Sequence, residues 1–287
     1  MLIVLALGGM VLGGLLSVPV IMMMTGQTIT SIADIAANPA YFRELQVMQS
    51  VSAIFGFLVP TLVSASLMSR QPLQLTGFKG AINGKQVLLT TFIIGCGIAL
   101  SGSLSYASYQ IPFPAEWKAW FFKLESNYMK MAVNIINVSS PFELFISLIV
   151  LALVPAVCEE ALFRGGLQNY LYRGTQRFWF SVIAVSLIFS LVHFSAYGFL
   201  SRLALGIILG LLYQYSGRLW LPILAHFINN AAAVMVIWYQ KSSGLSITEI
   251  MSSRDGTYLG LATIPVVIYL FILFKRASRS NTITDGI

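Results

Sequence analysis

The chain has 287 residues, of which 57% are hydrophobic and only 9% charged, whereas a soluble domain carries about 25% charged residues. That balance excludes a soluble globular protein and describes an integral membrane protein. A net charge of +7 would suggest nucleic acid in a soluble chain, but here the basic residues stand in short segments between apolar runs. They read as orientation signals, and no nucleic-acid site is expected.

The apolar runs are continuous rather than alternating, which predicts membrane-spanning helices and not barrel strands. Eight spans are expected, at about 2–24, 46–69, 87–107, 142–163, 178–199, 201–215, 219–240 and 257–274, giving an all-α polytopic fold. The first run has no Lys or Arg before Arg43 and exceeds the roughly 7–15 residue core of a secretory signal, so it is expected to remain as a helix. Within it, Gly9 and Gly13 lie four apart and suit close packing on a neighbour. Between spans three and four, the 114–135 segment opens at Pro114 and sets Trp117, Trp120, Phe121, Leu124, Tyr128 and Met131 at helical spacing, with Lys118, Lys123 and Glu125 among them. This predicts an amphipathic helix in the outer interface, serving as a lid or spacer. The sixth span is short, contains Gly206 and Gly210, and follows a break at Ser195–Gly198, so spans five and six are expected to be kinked or shifted in depth. The chain divides into N-terminal helices over 1–139, a motif-bearing core over 140–240, and a last helix with a basic tail over 241–287.

Charge orients the array. Arg70, Lys79, Lys85, Arg173, Arg177, Arg218, Lys275, Arg276 and Arg279 follow even-numbered spans, while the other side balances Arg43 against Asp34 and Glu44, and Lys241 and Arg254 against Glu249 and Asp255. Both termini are therefore expected in the cytoplasm, with the protein in the plasma membrane. Cys96 and Cys158 both lie in apolar segments and define no disulfide framework.

Ionisable groups in hydrocarbon cost roughly 2.5–3.5 kcal/mol each at a helix centre, so a chain that keeps several uses them. The only two histidines, His193 and His226, fall in apolar stretches, as does the pair Glu159 and Glu160. Glu160 and Arg164 are four apart and can meet on one helix face. Glu159, turned about 100° away, has no local partner and is the better candidate for a general base. Pro155 removes a hydrogen bond to the Leu151 carbonyl, and a bend there would open room for water; the plain alternative is an ordinary transmembrane proline. His226 and Asn230 share a helix face, and an imidazole beside a carboxamide can orient water and donate to an oxyanion, which suits amide hydrolysis. Cys158 and Ser190 read as packing residues, since neither forms a nucleophile motif. Taken singly, each of these polar groups could be a helix-to-helix hydrogen bond; their coincidence points to a catalytic site.

Three motifs, Glu-Glu-x-x-x-Arg at 159–164, Phe-x-x-x-His at 189–193 and His-x-x-x-Asn at 226–230, together and in this order resemble the CPBP family, also called Abi or type II CAAX prenyl endopeptidases. The resemblance implies an eight-helix intramembrane endopeptidase whose catalytic groups face a cavity open to water and a peptide. It implies that Glu159 activates water with help from His193, that His226 and Asn230 stabilise the oxyanion, and that Arg164 holds Glu160. It also implies a peptide or protein substrate, prenylated or not, met at the membrane lipid. Family descriptions differ on metal. Glu159, His193 and His226 are a credible three-ligand zinc set, and the same groups can run a metal-free Glu–His mechanism. The His-Glu-x-x-His motif of soluble zinc proteases is absent.

Two other classes compete. A proton-coupled transporter could use the same carboxylates and histidines as a relay, although no internal repeat is visible. A non-catalytic scaffold or immunity protein would leave such motifs idle. The peptidase reading also carries a geometric demand: a simple up-and-down threading sets His193 about 15 Å deeper than Glu159 and His226, so span five has to start inside the membrane, tilt or bend. Substrate identity and oligomeric state do not follow from these residues.

Overall fold

A computed structural model describes residues 1–26, 38–136, 138–252 and 255–282. Among them the secondary structure is helical, with no strand. The main helices are α1 (Leu2–Thr25), α2 (Phe42–Met68), α3 (Gly84–Gln110), α4 (Ala115–Ile135), α5 (Pro141–Thr175), α6 (Phe178–Leu191), α7 (Phe199–Ser216), α8 (Trp220–Ser242) and α9 (Ile264–Thr282), the last entered through a tight turn over Leu259–Thr263. All but α4 and α6 belong to the 7 helices long and apolar enough to cross a membrane, so the chain is an all-α, multi-pass membrane protein. Asp34 and Arg254 of the charge pattern lie outside the described residues.

The fifth expected span departs from its prediction. Its helix, α6, has 14 residues and ends at Leu191, so it rises about 21 Å against the roughly 30 Å of a bilayer core. The chain then turns over 192–198 and returns as α7, packed closely along α6. Ser190 closes the turn by donating to the Phe199 carbonyl (2.7 Å), and Phe194 takes a left-handed conformation (φ 50°) that a bulky side chain rarely adopts. Contiguous apolar sequence across 178–194 hides this stop, because the helix ends on tertiary contacts and not on a breaker residue.

Prolines shape the other helices. In α5 the missing Pro155 N–H and the bulk of its ring are met by a widened π turn over Leu148–Leu153, and α2 repeats the device over Ile54–Leu58 ahead of Pro60. A further π segment of α5, Ala161–Gln168, carries Arg164 and the adjacent Gly165 and Gly166. Glycines set the closest approaches: a Cβ on Gly9 of α1 would strike the Phe55 carbonyl of α2, and one on Gly13 would lie 2.8 Å from Ser52 Cα.

The central core forms where α3, α6, α7, α8 and α9 meet, around Ile93, Ile94, Val182, Leu212, Leu221 and Phe274. Basic residues gather at one end of the bundle. Arg70 and Arg173 line one cleft, Arg218 donates to the Ala81 carbonyl (3.0 Å), and Lys275 stands over the Tyr215 ring. At the opposite end Arg43 pairs with Glu143 (3.6 Å) and Lys241 donates to Ser139 (2.9 Å). Helix α4 buries no residue and leans its aromatic face on the 192–198 turn, where Phe121 meets Tyr197 and Glu125 accepts from Ser195 Oγ (2.9 Å).

Candidate active site

Helix α5 supplies Glu159, Glu160 and Arg164. The i,i+4 spacing works as expected: Arg164 Nη1 donates to Glu160 Oε1 at 2.8 Å, and both side chains are almost wholly buried. Arg164 also donates through Nη2 to the Gly206 carbonyl (3.2 Å), and its guanidinium lies 4.7 Å from the Phe189 ring centroid. One turn on, Gln168 donates to the Gly210 carbonyl (2.9 Å). Residues 164 and 168 of α5 thus dock on glycine carbonyls 206 and 210 of α7, which fixes the register of the two helices.

Helix α8 brings His226 to the same carboxylate. Its Nδ1 lies 2.8 Å from Glu160 Oε1. The same Oε1 accepts from Arg164, and with a carboxylate oxygen as acceptor it is Nδ1 that donates, which leaves the Nε2 lone pair presented. Nε2 points toward Glu159, 3.9 Å from its Oε2, an oxygen with no hydrogen-bond partner in the structure. Both groups can contact a single water across that gap.

His193 follows the short α6. Its Nδ1 is 2.6 Å from the Phe189 carbonyl, which fixes the same tautomer and frees Nε2. The Phe189 ring packs on both imidazoles, with centroids 4.8 Å from His193 and 5.9 Å from His226. Early termination of α6 is what meets the depth demand: the chain stops short of a full crossing and sets His193 beside α8. His193, His226, Asn229 and Asn230 line one cavity of about 70 Å³, roomy enough for water. Asn229 Nδ2 donates to Asn230 Oδ1 (3.2 Å), so Asn230 keeps its own NH₂ group free to donate.

The structure therefore draws Glu159, Glu160, Arg164, His193, His226 and Asn230 into one neighbourhood. Two further residues of the cavity were not anticipated, Asn229 and Arg202. Arg202 carried a signal, being the one charge in the apolar sequence of α7; Asn229 differs from Asn230 only by which face of α8 it takes. Cys158 is buried among apolar neighbours and Ser190 is used in the turn.

Free Nε2 atoms with Nδ1 anchored on a carboxylate and a carbonyl are what metal-binding histidines have. Convergence is the other requirement, and it is not met: among the described residues no three His, Cys, Asp or Glu side chains come close enough to hold one ion.

Residues 141–232 match the family described as type II CAAX prenyl endopeptidase Rce1-like, and all three motifs fall inside that stretch. The resemblance drawn from the motifs thus holds over this segment. Two proteins of Bacillus subtilis are similar to the chain: "Uncharacterized protein YpbD", 35% identical over 112 residues (38% of this chain and 54% of that protein), and "Putative membrane peptidase YdiL", 34% identical over 89 residues (31% of this chain and 36% of that protein). The chain thus spans about half the length of the first and about a third of the second. No solved structure matches it.

Proposed function

Starting from a segment similar to type II CAAX prenyl endopeptidases, we propose that the protein is an intramembrane endopeptidase that hydrolyses a peptide bond of a membrane-associated substrate. The observation that carries this reading is the gap between Glu159 Oε2 and His226 Nε2, 3.9 Å across, beside a polar cavity inside an apolar bundle. Likeness to a protein described as a membrane peptidase points the same way.

In this reading Glu159 takes a proton from a water held between it and His226. The water oxygen bonds to the scissile carbonyl carbon, and the carbonyl electrons move onto its oxygen. Asn230 Nδ2 donates to that oxyanion. His193, with Nε2 free, orients the water from the other side of Phe189. On collapse the carbon–nitrogen bond breaks, and Glu159 passes its proton to the leaving nitrogen. Glu160 and Arg164 touch no reacting atom. They are positioning residues that hold His226 in one tautomer and one orientation.

The substrate class that fits is a peptide tethered at the bilayer, prenylated at a CAAX-type terminus or anchored otherwise, with both termini of the enzyme in the cytoplasm and the plasma membrane as its location. The test is hydrolysis of a peptide panel, prenylated and not, by the purified full-length protein with and without a zinc chelator. Cleavage that resists the chelator is expected, and chelator-sensitive cleavage would install a metal mechanism. No cleavage, together with substrate-dependent proton flux in vesicles, would replace the peptidase by a transporter.

A further inference from the structure

Helix α7 carries a single charge, Arg202, in an otherwise apolar 18-residue helix, and a lone cation in such a place is expensive. The buried arginine of α5, Arg164, is accounted for by Glu160. Arg202 is not: among the described residues no acidic side chain pairs with it, and its Nη1 is closed off from solvent with no hydrogen-bond partner. Glu125 of α4 accepts from Ser195 Oγ at 2.9 Å.

The guanidinium is nevertheless held in place. The Tyr128 ring of α4 covers it, 4.7 Å from Cζ to the ring centroid. On the other side it lies against Gly198, where a Cβ would overlap Nη1; the backbone there is ordinary (φ −80°), so the glycine provides space and not a special turn. Arg202 lines the same cavity of about 70 Å³ as His193, His226 and Asn230. A guanidinium held in this way, without an acidic partner, on the lining of a polar-rimmed cavity has the chemistry to receive a small planar anion.

Resting on the peptidase reading, we propose that Arg202 forms an anion subsite that takes a carboxylate of the substrate and so selects which peptide bond is cut. A peptide can bring that carboxylate from two sources, its terminal α-carboxylate or an Asp or Glu side chain near the scissile bond. Docking would supply the acidic partner that the guanidinium lacks, so binding strength and discrimination come from the same contact.

The experiment uses the full-length protein in detergent micelles and one quenched fluorescent peptide in four forms: free acid or amide at the C-terminus, each with Glu or Gln two residues after the cleavage point. Cleavage by the wild type is read as kcat/KM. Binding of the same peptides to Glu159→Gln is read by fluorescence anisotropy, so a result exists even if nothing is cleaved. A preference of roughly 10- to 100-fold for one carboxylate-bearing form is expected, the worth of one charge-assisted pair, and the arm that shows it names the source. In Arg202→Gln and in Gly198→Ala, which displaces the guanidinium without removing it, that ratio is expected to collapse toward one. Equal treatment of all four forms, a preference that survives both variants, or a uniform loss across forms in Arg202→Gln would overturn the proposal. Carboxylate-selective binding without any cleavage would keep the subsite and remove the peptidase reading instead.

Discussion

Glu159 and Glu160 are neighbours in sequence and opposite in situation. Glu160 gives Oε1 to both Arg164 and His226, while Glu159 has neither of these bonds and points an unpartnered Oε2 at His226 Nε2. Their neutral amides should therefore fail differently. Glu159→Gln is expected to lower kcat/KM by about 10²- to 10⁴-fold, the usual worth of a general base, with the thermal midpoint unchanged. Glu160→Gln leaves the buried Arg164 uncompensated, which costs about 3–5 kcal/mol, so it is expected to lower the melting temperature as well as activity. Equal melting behaviour of the two variants would contradict the division of roles. Cys158→Ala should leave cleavage within about threefold, since the thiol is buried away from the cavity lining; a large loss would reopen a thiol mechanism. At this scale the Glu160–Arg164 pair was legible, because i,i+4 spacing is a local fact. The bond from His226 to Glu160 was not, because it joins positions 66 apart and no local rule reaches across them. Arg202 was legible by the same reasoning that singled out the histidines, as a lone charge within an apolar run.

Elements place these residues, and the shortness of α6 is the element that matters most. A full crossing at 178–199 would leave His193 far from α8; stopping at Leu191 and turning brings it to Phe189 and the cavity. Apolar run length overstated this helix, since hydropathy records what tolerates hydrocarbon and not where the backbone turns. The register of α5 on α7 depends on Gly206 and Gly210, and a Cβ on Gly210 would sit 2.9 Å from Gln168 Oε1 and 3.1 Å from Val182 Cγ1. Gly210→Val is expected to lose about 1–3 kcal/mol of stability by overpacking, measured as a drop in the thermal midpoint in detergent. An unchanged midpoint would show that the docking of Arg164 and Gln168 on α7 is loose. The kink expected at Pro155 takes the form of a widened π turn, a shape that proline signals only in part because a bend and a wide turn both relieve the same clash.

At the scale of the whole molecule, basic residues collect at one end and balanced charge at the other. A phosphatase reporter that works only outside the cytoplasm, fused after Ile287, is expected to stay silent, and activity there would invert the proposed orientation. Helix class was readable because apolar runs do not alternate. How the helices pack was out of reach, since hydrocarbon-facing and core-facing residues are equally apolar in a membrane and no periodicity separates them. The central claim is that residues from α5, the 192–198 turn and α8 form one hydrolytic site in which Glu159 activates water. It is tested most directly by mass analysis of a peptide incubated in ¹⁸O-water with the wild-type protein and with Glu159→Gln of equal thermal stability. The account predicts a single cut with one ¹⁸O in the new carboxylate for the wild type and no product above background for the variant; undiminished, labelled product from Glu159→Gln would contradict it.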